Sequence, residues 1–383
     1  MYNFDEIQER RNTSSLKWDV CLCELPMWVA DMDFKVATPI KDAIISKAEI
    51  MAYGYSNVPD DYFIAYKKFF KDMHQLSLKT SWMIFSTGVV PSISSIVRST
   101  TEVFDNVVLL SPVYNIFYNS IKNNHRNVLE SNLIYDNEKY SIDWQDLEKK
   151  FADPKTKLLI FCNPHNPCGN VWSYEELQRI LDLAIKYNVI IISDEIHCDI
   201  MTPGKSYTPF LKVKGSEKNV IMLASASKSF NIAGLHASIA VVVDKDLRYT
   251  VWRGINTDEC GENNFFCCEA HIAALNDSRD WLKEMNQYVY RNKQYVIDFI
   301  EKNCPRLKVV KSDALYLLWI DISELNMDSD RFTIFLRKKT GLYISSGKAY
   351  GGNGANFVRI NLATSKSNVE DACNRLKVCL ELI

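Results

Sequence analysis

Apolar residues in this chain fall into two periods that change over near residue 82. Before it, helical spacing dominates. Ile40, Ala43, Ile44 and Ala48 predict a helix over 39–51, and Tyr62, Phe63, Tyr66, Phe69 and Phe70 predict a second over 60–74, with these aromatic rings as a core stripe. Tyr53-Gly54-Tyr55-Ser56 between them is a turn, and Tyr55 stands outside the stripe beside a glycine. From Trp82 onward short apolar runs alternate with helical spacing. Runs at 83–87, 107–110, 127–129, 158–161, 189–192, 219–224 and 238–243 predict strands, with helices among them at 144–151 and 174–187. Continuous apolar strands alternating with helices predict a mostly parallel, seven-stranded α/β sheet covered on both faces.

The order changes again after a long predicted helix over 280–303, whose apolar side carries Trp281, Met285, Tyr288, Val289 and Val296. Beyond it, strands at 307–310, 315–320, 342–345 and 357–360 and helices at 329–339 and 368–383 predict a smaller α+β domain. The division expected is a large domain over 46–284 and a small one from 1–45 with 285–383, joined by the long helix. The stretch 15–34 is irregular, aromatic and apolar with acids embedded, which suits an arm packed on another surface or the wall of a pocket.

Composition narrows the classes. The chain has 383 residues, enough for two domains, and 47% apolar with 24% charged residues is ordinary for a globular protein. A net charge of −2 gives no electrostatic case for nucleic acid or an anionic membrane. No run approaches the roughly 20 apolar residues that span a bilayer. The start, Met1-Tyr2-Asn3-Phe4-Asp5-Glu6, lacks an export pattern, and eleven scattered cysteines suit reduced thiols, so a cytoplasmic protein is expected. Cys21/Cys23 and Cys267-Cys268 read as buried thiols.

Candidate chemistry gathers just past the predicted strands, where open α/β sheets place ligands. Lys228 follows the 219–224 strand within Ser225-Ala226-Ser227-Lys228-Ser229. Its amine can form a Schiff base with a carbonyl, and the hydroxyls beside it can donate to a phosphate. Pyridoxal phosphate carries both groups; a surface lysine at a strand end is the plain alternative. Gly88-Val89-Val90 joins a strand to a helix and forms an anion-binding turn. Asp194 ends an apolar strand within Ser193-Asp194-Glu195-Ile196-His197, where it either pairs with a pyridinium nitrogen or caps a turn. Asn166 sits in the rigid turn Asn163-Pro164-His165-Asn166-Pro167-Cys168-Gly169, placed to bond a phenolic oxygen. Cys162, His165 and Cys168 invite a metal, but no further pair at a supporting spacing completes four ligands, so no metal is expected. Tyr114 suits either ring stacking or the core. Arg359 lies inside an apolar strand and needs a carboxylate, from a substrate or from a structural salt bridge.

These segments together resemble the fold-type I pyridoxal-phosphate enzymes, the aspartate aminotransferase superfamily. They most resemble its cystathionine β-lyase (C–S lyase) branch, known as MalY/PatB. The resemblance implies the pyridoxal-phosphate-dependent transferase fold and a homodimer with a shared active site. It implies Lys228 as the Schiff-base lysine and Asp194 as partner of the ring nitrogen. Asn166 and His197 would approach the phenolic oxygen and Tyr114 would stack on the ring. Gly88, Val89, Val90, Ser225 and Ser227 would hold the phosphate. Tyr55 would reach in from the other subunit, and Arg359, helped by backbone near Ala30, would bind the substrate carboxylate. The sequence departs from the wider superfamily at His236, eight residues after the lysine, where a phosphate-binding arginine is usual.

The activity implied is α,β-elimination of L-cystathionine- or L-cysteine-type thioethers to pyruvate, ammonia and a thiol. An aminotransferase uses the same residues and is the second reading. A non-catalytic scaffold of the same fold is the third, and the joint presence of Lys228, Asp194 and Arg359 opposes it.

Overall fold

The computed structural model describes residues 2–383. Seven strands form one sheet in the spatial order Met83–Ser86, Ser238–Val242, Val220–Ala224, Ile190–Asp194, Thr156–Cys162, Asn106–Ser111, Asn127–Asn132. All run one way except Ser238–Val242, which is antiparallel to both neighbours. Alternate residues of each strand face opposite sides, and both sides are covered. Val108, Leu110, Leu159 and Phe161 pack under the helices Trp144–Phe151 and Tyr174–Tyr187. Val107, Leu109, Leu158 and Ile160 pack under Val89–Thr100, Ile116–Lys122 and Lys245–Thr257. Burial on both faces is why the strand runs are continuously apolar. Local signals fix the helix ends: Ser173 and Glu176 form a reciprocal capping box, and Asp143 caps the helix after it.

Lys308–Val309, Leu317–Asp321, Phe357–Asn361 and Ser345–Ser346 form a second, antiparallel sheet. The helices Ser329–Thr340 and Lys366–Leu380 pack on it. The helix Arg279–Asn303 contributes Trp281, Leu282, Met285 and Val289 to one core and Val296 and Ile300 to another. No helix of the described residues is long and apolar enough to cross a membrane.

The aromatic stripe of Asp60–His74 is core, with Tyr62, Tyr66, Phe69 and Phe70 buried. The arm at 15–34 is both a packed surface and a pocket wall. Leu25–Pro26 pairs with Leu342–Tyr343. Its acids are neutralised: fully buried Lys17 bonds Asp33 at 2.9 Å, and Arg10 pairs with Asp31 and Asp33. Cys267 and Cys268 are buried as expected, but Cys21 and Cys23 are exposed. That expectation is corrected by the backbone: Arg11 and Arg375 bind the carbonyls of the turn, leaving the two thiols to point outward.

Candidate active site

Strand directions collect the candidate residues into one cavity of about 290 Å³. It opens where Met83–Ser86, Thr156–Cys162, Ile190–Asp194 and Val220–Ala224 all end. Gly88, Val89, Val90, Tyr114, Asn166, Asp194, His197, Ser227, Lys228 and Ala30 line it. A larger cavity of about 620 Å³ lies beside His74 and Asp199. It is not the chemical site, since Lys228 does not line it; Asp199 there supports the lysine turn by accepting from Ser229 Oγ at 2.7 Å.

Lys228 lies in the short helical turn Ala226–Ser229. Its Nζ donates to Ala30 O at 2.7 Å, and burial pushes the ammonium down to about 8, so the free amine is accessible near neutrality. Ser225 is not on the cavity. Its Oγ accepts from Ser227 N, donates to Ala237 O at 2.6 Å and thereby fixes the turn, while Ser227 faces the space.

Asp194 is buried and accepts one hydrogen bond, from Ile196 N to Oδ1. It is therefore a turn cap and a cavity residue at once. Burial raises it to about 7, which is the signature of a carboxylate lacking a cation. Its neighbour Glu195 turns away, accepting from Ser193, Tyr207 and Phe210 N. His197 is buried, and its Nδ1 has no hydrogen-bond partner. Burial, then the charges of Lys228 and Arg359, hold it down to about 3, so the ring is neutral.

Gly88 has φ +154° and begins the helix Val89–Thr100 with no side-chain cap, leaving the first backbone N–H groups open to the cavity. Tyr114 is a wall, with its phenol raised to about 12 by burial. Asn166 is held in its turn by His165, whose Nε2 lies 2.9 Å from Pro112 O. The Cys162 and Cys168 thiols likewise engage backbone carbonyls.

Arg359 is buried and donates to Asn166 Oδ1 at 3.1 Å and Trp28 O at 3.0 Å; its Nε has no partner. No Asp or Glu of the described residues forms an ion pair with it, so the structural salt bridge is not there. Tyr55 is fully exposed and does not line the cavity.

Two further residues belong to the site. Tyr316 donates to Ala30 O at 3.0 Å beside the lysine, and His236 lines the cavity with Gly88. Tyr316 sits in an apolar strand run, where nothing in the sequence separates it from core. A buried carboxylate without an ion-pair partner, an amine, an uncapped helix start and a neutral histidine with a free ring nitrogen fit pyridoxal phosphate. Asp194 would hold the ring nitrogen, His197 and Asn166 the phenolic oxygen, and Val89, Val90 and Ser227 the phosphate.

The family model for aminotransferase class I and II matches residues 31–376. The chain is 34% identical to the cystathionine β-lyase PatB of Bacillus subtilis, over 99% of this chain and 100% of that protein. Among solved structures, cystalysin of Treponema denticola with a pyridoxal 5′-phosphate cofactor superposes with TM-score 0.96. It is 33% identical and covers 100% of this chain and 99% of its own. The pyridoxal-phosphate-bound C–S lyase of Staphylococcus hominis superposes with TM-score 0.93 at 33% identity, over 99% and 98% of the two chains. The match over most of the chain, with Lys228 and Asp194 on one cavity and Arg359 bonded to Asn166 in its wall, has one meaning: this chain belongs to the aminotransferase class I and II family.

Proposed function

We propose that the protein is a pyridoxal-phosphate-dependent C–S β-lyase that eliminates a thiol from L-cystathionine- or L-cysteine-type substrates. The observation that carries this reading is Arg359, a buried guanidinium with no carboxylate partner, which bonds the cavity residue Asn166 and whose charge acts on Lys228 and His197. A buried charge of that kind is completed by a ligand carboxylate. The lyase relatives supply the reaction type.

When bound, pyridoxal phosphate supplies an electron-accepting ring conjugated to the substrate's α-carbon. Arg359 and Asn166 orient the carboxylate. Lys228 Nζ takes the α-proton, and its depressed basicity suits that transfer near neutral pH. Asp194 would hold the ring nitrogen in its protonated form. The net reaction would convert the thioether and one water into a thiol, pyruvate and ammonia, the α-proton accepted by Lys228 balancing the thiolate that leaves. The test is release of pyruvate and thiol from L-cystathionine with no 2-oxo acid present. Continuous, equal release supports elimination; turnover only with an added 2-oxo acid establishes the aminotransferase reading, which the family relationship also accommodates.

The reading includes a cytoplasmic homodimer in which Tyr55, fully exposed here, reaches the partner's cavity. It also includes a cofactor domain over 46–284 and a second domain from 1–45 and 285–383.

Two results are expected at the cavity. Arg359→Ala raises KM for the amino acid by about 10²-fold, as loss of a charge-assisted carboxylate clamp does, with the cofactor band unchanged; an unchanged KM removes Arg359 from the site. His236→Ala weakens binding of pyridoxal phosphate by roughly tenfold through loss of one charge-assisted bond. Pyridoxal, lacking the phosphate, is unaffected. Equal losses for both would place His236 elsewhere.

A further inference from the structure

Of the eleven cysteines, Cys21 and Cys23 alone are exposed. They occupy the first and third places of the turn Cys21-Leu22-Cys23-Glu24, closed by Glu24 N donating to Cys21 O at 2.9 Å. Their Sγ atoms lie 3.1 Å apart. A disulfide needs about 2.05 Å, so closure asks for roughly an ångström of side-chain rotation. The other adjacent pair, Cys267-Cys268, has Sγ atoms 3.9 Å apart but is buried inside the core.

The backbone under the exposed pair is pinned. The Arg11 guanidinium donates to Trp18 O, Val20 O, Cys21 O and Glu24 O. Arg375 Nη1 donates to Cys23 O at 2.9 Å, and Gly341 packs so closely that a Cβ there would meet that oxygen at 2.5 Å. The turn therefore holds two solvent-facing sulfurs together without burying either. The pair is also unequal: the Cys23 thiol bonded to it holds the Cys21 thiol below its ordinary value, and the Cys23 thiol is raised in turn. An acidic, exposed thiol beside a second thiol is how exchange-active pairs are built.

We propose that Cys21 and Cys23 form a dithiol site for thiol–disulfide exchange with small-molecule disulfides, separate from the lysine cavity. The Cys21 thiolate attacks a disulfide R–S–S–R, forming a mixed disulfide and releasing one R–S⁻. The Cys23 thiolate then attacks the Cys21 sulfur, closing the ring and releasing the second R–S⁻. The protein loses two thiol hydrogens and two electrons; the small disulfide is reduced to two thiols.

The test uses the full chain in glutathione buffers of increasing oxidation, quenched by acid, alkylated and digested with trypsin. The peptide 18–35 contains only these two cysteines. It is expected to lose two hydrogens through an internal disulfide, about tenfold or more faster than any other cysteine is modified, as exposure and acidity together direct. Excess dithiothreitol restores it. Cys23→Ser is expected to stop at glutathione bound to Cys21. The proposal fails if the wild-type peptide keeps both alkylated thiols at the oxidising end. It also fails if it gains glutathione on both sulfurs without ring closure.

Discussion

Replacing Lys228 by alanine is expected to lower β-elimination by at least ~10⁴-fold, because in the proposed mechanism one side chain serves as both cofactor attachment point and general base. The loss is chemical and not a loss of folding. Ser225 still caps the turn, Ser229 still donates to Asp199, and Ala30 O keeps its bond from Tyr316. Pyruvate release from L-cystathionine measures the rate, and borohydride reduction followed by peptide mapping measures covalent attachment at residue 228. Both signals disappear together in Lys228→Ala. A small primary amine added to the variant recovers part of the rate by accepting the α-proton from the vacated space. Full elimination without added amine would remove Lys228 from the mechanism and leave its depressed basicity as a consequence of burial alone.

The fold was largely legible because the strand runs are apolar on both faces and the helices are not. Ile190–Asp194 and Val220–Ala224 are buried at nearly every position, so their ends, and with them Asp194 and Lys228, stand out as places where polarity begins. Other parts left no such mark. Cys267–Asp277 is buried almost all round, so it shows no stripe. The hairpin of Ile134–Asp136 and Lys139–Ser141 is too short to show alternation, and its turn uses positive φ at Asn137 and Glu138. Within the site, residue type carried Lys228 and Arg359, whereas exposure is a tertiary property. Ser225 and Ser227 are alike in sequence, yet only Ser227 faces the cavity. Cys21 and Cys23 read as buried because nothing local announces that Arg11, ten residues earlier, binds their turn.

Asp194→Asn is expected to lower kcat by roughly 10²- to 10³-fold while cofactor stays bound, the scale set by removing one partner of a buried charge pair. The substitution is nearly isosteric. An amide oxygen can still accept from Ile196 N, so the turn survives and only the charge is lost. In the chain alone Asp194 is raised to about 7 by burial, and a cationic ring nitrogen beside it draws the carboxyl back toward ionisation. The sign of the pH effect follows. As pH falls through about 7 the cofactor-free protein protonates Asp194, so affinity for the protonated ring drops on the acid side. Comparing wild type with Asp194→Asn over the same pH range cancels the cofactor's own titrations. The extra acid-side loss of affinity belongs to wild type only. Reconstituting the variant with a cofactor methylated at the ring nitrogen, and so permanently cationic, restores much of kcat, because the charge no longer depends on residue 194. Wild-type turnover in Asp194→Asn would reduce Asp194 to a turn cap. Failure of the methylated cofactor to rescue a variant that binds it would show that the carboxylate acts on something other than the ring nitrogen.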